Sequence, residues 1–245
     1  MILCVYVVRN DGEPLYGRSI TDDSCIDINM LPSLVRNSVA MMQSSSSTSP
    51  ERVYILEMDD CVWAYSFFHT FALVSMSSID QSISQLKNIM SSLGRAIAYQ
   101  YGELIETWSG SMSDIVDINK LIDNYVSLDL NQPSSEILKA IERLVNKALK
   151  QPEIAIVGVF DSEGELLRGN VPEVYLFRIQ VEISQGVIKP VIDIVPSTIR
   201  SGDHVLQMLK VHSLTVVVAS QPGESNLHAV STVGEIAHAL DEKMS

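Results

Sequence analysis

Apolar positions along the 245-residue chain recur with two periods, about 2 and about 3.6 residues, and each period predicts an element type. Apolar runs at 2–9 and 14–20 predict two strands, joined by the turn residues Asn10, Asp11 and Gly12. Ile28, Leu31, Val35, Val39 and Met42 share one helical stripe and predict a helix over 27–43. Pro32 falls in its first turns, where proline is tolerated. A serine-rich loop at 44–50 precedes three strand-like runs at 52–58, 61–68 and 70–77, divided by Asp59-Asp60 and by His69. Ile83, Leu86, Met90, Leu93, Ile97, Tyr101, Leu104 and Trp108 then follow at steps of three and four, a stripe about seven turns long. Asp80 is placed to cap that helix, and a shorter helix is predicted over 114–128.

The second half opens with turn residues at 131–135, where Ser134 or Ser135 can cap a helix carrying Ile137, Ile141, Leu144, Val145 and Leu149 inward. Pro152 ends it, and strands are predicted at 154–160 and 165–169. Tyr175, Phe177, Ile179, Val181 and Ile183 alternate strictly, which predicts a strand. A helix is expected near 203–210, a strand at 214–219 and a closing helix over 225–244, with Leu227, Val230, Val233, Ala237 and Leu240 inward.

The two halves share more than composition. VVRNDGEPLYG at 7–17 and VFDSEGELLRG at 159–169, 152 positions apart (159 minus 7), agree at five of eleven positions. Val7 matches Val159, Gly12 matches Gly164, Glu13 matches Glu165, Leu15 matches Leu167 and Gly17 matches Gly169. Each copy places a turn ending in glycine between two apolar runs. The first half reads strand, strand, helix, three strands, helix, helix, and this order resembles the longin domain over residues 1–130. Longins are small α/β modules of trafficking SNAREs, adaptor subunits and regulators of Rab-type GTPases. Residues 134–245 resemble the roadblock domain, which shares the longin sheet topology. Roadblock domains carry a helix where 175–183 alternates, so a longin-like variant and a rearranged roadblock relative both fit that half. The resemblance implies an α/β (α+β) chain of two longin/roadblock/profilin-like modules, each a mainly antiparallel five-stranded sheet packed by helices.

A net charge of −13 and a pI near 4.7 argue against a duplex nucleic-acid binder or a partner of anionic lipid, since each needs a basic face. Cys4, Cys25 and Cys61 are odd in number and widely spaced, which suits a reducing cytoplasm better than a disulfide framework. The N-terminus lacks a basic n-region, and the most apolar run, 61–76, is short of the ~20 residues that span a bilayer. No GxxxxGK[ST] loop, GxGxxG turn, GxSxG elbow or HExxH pair occurs, so no cofactor, no metal and no catalytic set is expected. Glu235 and His238 read as a surface pair on a helix, Cys61 as a structural thiol, and Asp59-Asp60 as a solvated turn.

Met30, Leu34 and Met41 lie about 120° from the middle of the 27–43 core stripe, taking ~100° per residue, and form a candidate protein interface. The other domain or a second copy of the chain would cover the same patch equally well. The resemblance implies a non-enzymatic platform that regulates or scaffolds a Ras-like small GTPase in vesicle trafficking. It would bind that GTPase or other longin and roadblock proteins, form a dimer, and reach membranes through partners. Arg36, Arg95, Arg168 and Arg200 are equally eligible as an arginine finger. The competing expectation is a small-molecule sensor holding a ligand between sheet and helix, with Tyr65 or His69 as inward polar groups.

Overall fold

The structure is a computed structural model and describes residues 1–20, 33–44, 51–58, 60–108, 117–128, 130, 133–186, 188 and 190–244. The chain divides into two units, Met1–Ser127 and Leu128–Ser245. In the first, β1 (Ile2–Arg9), β2 (Pro14–Ser19), α1 (Ser33–Ser44), β3 (Val53–Met58), β4 (Cys61–Phe67), β5 (Phe71–Ser78), α2 (Ile83–Thr107) and α3 (Ile118–Val126) follow in order. Every strand pairing is antiparallel, and the sheet order is β2-β1-β5-β4-β3. Strands β1, β4 and β5 are buried at nearly every position because both of their faces are covered. Val35 and Val39 of α1 pack on Tyr6, Trp63, Tyr65 and Val74 on one face. Helix α2 packs along β4 and β5 on the other, and α3 packs against α2.

Within α2, Leu86, Met90, Leu93 and Ile97 are fully buried, as their spacing requires, while Ile83 and Leu104 near its ends are exposed. Its N-cap is Ser82, which accepts a hydrogen bond from the Gln85 amide at 3.5 Å, and not the expected Asp80. Residues 27–32 of the helix expected over 27–43, Cys25, most of the serine loop and residues 114–116 lie outside the described residues.

The second unit runs α4 (Ser135–Ala148), β6 (Ile154–Phe160), β7 (Leu166–Gly169), α5 (Glu173–Gln185), β8 (Ser197–Ser201), β9 (His204–Val211), β10 (Leu214–Ser220) and α6 (Asn226–Met244). Its sheet order, β7-β6-β10-β9-β8, repeats the first. Ser134 caps α4, accepting from the Ile137 amide at 3.3 Å. Helices α4 and α6 cover one face of this sheet and α5 the other.

Three expectations for this unit are corrected. Residues 175–183 form α5 and not a strand, because Tyr175, Ile179 and Ile183 face the core at intervals of four while Phe177 and Val174 point outward. A helix apolar on both sides mimics strand alternation. Residues 204–211 form β9 and not a helix. Leu206 and Met208 join the α5 side of the core while Leu209 and Val211 join the α6 side, and burial of both faces erases the alternation that marks a strand. Leu227 stands exposed in the first turn of α6, whose inward row begins at Ala229.

The repeated hairpin occupies one place in both units. Val7 pairs with Tyr16 and Val159 with Arg168; Val8 pairs with Pro14 and Phe160 with Leu166. The register shift falls at the same step in each, and both glycines take left-handed φ, +92° at Gly12 and +86° at Gly164. Matching backbone bonds close the turns: Arg9 N to Glu13 O at 2.7 Å, and Asp161 N to Glu165 O at 3.0 Å.

Candidate functional site

Helices α1 and α5 hold equivalent positions, each crossing from the second strand of its unit to the third and each lying against the hairpin turn. A Cβ on Gly12 would stand 2.7 Å from the Arg36 carbonyl oxygen, and one on Gly164 would stand 3.1 Å from Gln180 Cα. Glycine is therefore required twice over, for φ and for the closeness of the helix. The inner side of α5 is tied down further, since the Tyr175 hydroxyl and His204 Nδ1 lie 3.0 Å apart with their rings edge to face. On its outer side Val174 and Phe177 are 77% and 76% exposed, with half-buried Val181 one turn further on. Large apolar side chains aligned on an exposed helix face are the usual mark of a contact surface. The strand expectation for 175–183 concealed this row. Its recognisable signals were Pro172 just before Glu173 and the step of four between the buried residues.

Of the expected interface residues, Met41 on α1 is 72% exposed, while Met30 and the Leu34 side chain lie outside the described residues. His69 sits exposed in the β4–β5 turn, where its carbonyl accepts from Asn10 Nδ2 at 2.9 Å, so it is not an inward group. Tyr65 is inward and fully buried; burial pushes its pKa up to about 12, opposed by a hydrogen bond with Ser38. Burial likewise raises Tyr16 to about 12, with Arg18 pulling it down and Asp123 pushing it up. The Tyr16 hydroxyl donates to Asn119 Oδ1, and Arg18 grips Asp123 at 3.1 and 2.9 Å, which joins α3 to β2.

Within neither unit are the candidate arginines brought together. Arg95 is paired with Glu51 at 2.8 Å, Arg36 lies on α1, Arg168 is exposed on β7, and Arg200 is exposed on β8 at the opposite edge of the second sheet. Asp60, Glu235 and His238 are exposed, and Cys61 is a half-buried free thiol. Among the described residues no three His, Cys, Asp or Glu side chains are placed to hold a metal ion, and no helix is long and apolar enough to cross a membrane.

Two antiparallel five-stranded sheets of one order make an α+β chain consistent with tandem longin/roadblock-like modules, the first with its extra helix at the end and the second with it at the start. No family model matches the sequence, and no curated protein matches it. Among solved structures the chain is similar to Myxococcus xanthus MglB, at 13% identity and a TM-score of 0.36, over 47% of this chain and 94% of that one. The fold type is read from element order, sheet order and the repeated hairpin.

Proposed function

We propose that the chain is a non-enzymatic protein-binding platform that regulates or scaffolds a Ras-like small GTPase in membrane traffic. Residues 1–130 would act as the longin-like module and 134–245 as the roadblock-like one. The observation that carries this reading is the exposed pair Val174 and Phe177 on a helix whose other side is locked into the core. Such a helix offers an apolar anchor at little ordering cost, and aromatic side chains in that setting dominate binding energy. In the first module, Met30, Leu34 and Met41 would form the corresponding interface. A regulator of this kind works by selecting one conformation of the GTPase switch segments, which needs differential contact and no covalent chemistry.

The test is capture of small GTPases from the same cell by the full chain, with each GTPase loaded with GDP or with GTP. Expected is retention of one GTPase in one nucleotide state. Val174→Lys with Phe177→Lys should abolish capture while leaving the thermal unfolding transition in place. Met30→Lys with Met41→Lys tests the first module in the same way. A chain that captures no GTPase in either state, or whose lysine variants capture as well as the parent, ends the reading.

One observation favours a second reading, the small-molecule sensor. The Oγ atoms of Ser66, Ser75 and Ser77 are buried on the α2 side of the first sheet with no hydrogen-bond partner among the described residues. Hydroxyls in that position are the polar groups a ligand between sheet and helix would use. Saturation of the full chain with small polar metabolites would then raise its melting temperature, and a flat response across such a library would remove the reading.

A further inference from the structure

Helix α4 carries Lys139, Arg143, Lys147 and Lys150 within or just beyond its span, at steps of four, four and three. That spacing places Lys139, Arg143 and Lys147 on one side of the helix, within about 80° of arc and along ~12 Å of axis, with Lys150 in the turn just past its end. All four are exposed, and none is engaged in an ion pair with a described residue. The opposite side of α4, with Ala140, Ile141, Val145 and Ala148, is buried against β6 and α6, so the helix cannot roll its cations away. Glu136 lies on the same line in the first turn, where it favours the helix dipole, and Glu142 projects to the flank.

A net charge of −13 makes this row an exception within the chain, and at ~8 Å of screening length in physiological salt a bound surface senses the row more than the total. The kind of partner follows from what the row lacks. No large hydrophobic residue of α4 is exposed, in contrast to α5 with Val174 and Phe177. Protein interfaces are anchored by buried aromatic or aliphatic side chains, and α4 offers none. Its row is a straight line of charge on a helix whose apolar side is already used, which fits a flat, densely anionic surface that need not be penetrated. The geometry points to α4 as a peripheral docking face for a bilayer containing acidic phospholipids, held by charge alone.

The test is sedimentation of the full chain with vesicles of phosphatidylcholine alone and of phosphatidylcholine with phosphatidylserine, at low and at physiological salt. Expected is binding to the acidic vesicles only, weakening as salt rises. Each cation replaced by glutamine should cost about five-fold in partitioning, and the quadruple variant Lys139→Gln, Arg143→Gln, Lys147→Gln, Lys150→Gln on the order of 10²-fold or more. Lys139→Arg with Lys147→Arg and Lys150→Arg should bind like the parent, since the charge is kept; circular dichroism should be unchanged in both variants. Equal binding to neutral vesicles, undiminished binding by the quadruple glutamine variant, or displacement by equimolar polyglutamate or duplex DNA in preference to vesicles would each overturn the assignment.

Discussion

Strand pairings bring matching positions of the two sheets into correspondence, and the faces under the long helices α2 and α6 turn out to be built differently. Leu73 pairs with Val7 and Val216 with Val159, so Ser75 corresponds to Val218, Ser77 to Ser220 and Ser66 to Leu209. Under α6 the second sheet presents Leu209, Val216 and Val218 in a continuous apolar cluster. The first presents three buried hydroxyls under α2. Where the second unit does keep a serine, it is used: Ser220 Oγ donates to the Ser225 carbonyl at 3.0 Å and accepts from the Ala229 amide at 3.2 Å, fixing the start of α6. One framework therefore tolerates two interiors, a dry one and one with orphaned polar groups, and an orphaned hydroxyl costs about 1–3 kcal/mol. The first unit is expected to be the weaker of the two.

Alkali should separate the units most strongly. Tyr16 and Tyr65 belong to the first unit, and burial raises both from 10.0 to about 12, with Tyr125 raised in the same direction for the same reason. Below pH ~10 these phenols are protonated in both folded and unfolded chains, and their contribution is constant. As pH climbs toward about 12 the unfolded chain releases protons that the folded one keeps, so stability falls across that window. The loss should be on the order of 4 kcal/mol near its upper end. Tyrosine ionisation followed at 295 nm against backbone circular dichroism should show the first unit melting before the second.

Next in size are the hairpin glycines. Gly12→Val should cost about 3 kcal/mol, since it combines left-handed φ with a carbonyl 2.7 Å from the new Cβ. Gly164→Val meets a Cα at 3.1 Å and should cost about 2 kcal/mol. Denaturant titrations that reverse this order would break the claimed equivalence of the turns in all but sequence. Smaller still is the exchange of matching core residues. Val218→Ser should destabilise the second unit by about 2 kcal/mol, while Ser75→Val should stabilise the first by about 1 kcal/mol. Two losses in place of a loss and a gain would mean that Ser75 is hydrogen-bonded in solution. Smallest in stability is Phe177→Lys, expected within ~0.5 kcal/mol of the parent because its ring is 76% exposed. Its effect should appear only in partner capture.

Much of this architecture was legible in the residues. The hairpins could be read because a glycine with an acidic neighbour between apolar runs has few other uses, and α2 because a single stripe over 25 residues has only one period. What was hidden shares one cause. Helix α5 and strand β9 are apolar on two sides, α5 because it carries an outward row as well as an inward one, β9 because helices cover both its faces. Period analysis assumes one polar side and fails when there is none. The α2 cap was misassigned between two nearby residues of similar capping preference, Asp80 and Ser82. The basic row of α4 was fully visible in sequence, yet a whole-chain charge averages it away.

Helices α4 and α5 lie on opposite faces of one sheet. A bilayer touching the first would orient the unit like a compass needle, with its negative remainder repelled and its cationic rib drawn down. Phe177 would then point toward the aqueous phase with the whole sheet as spacer. Attachment and recruitment would thus never compete for the same ground.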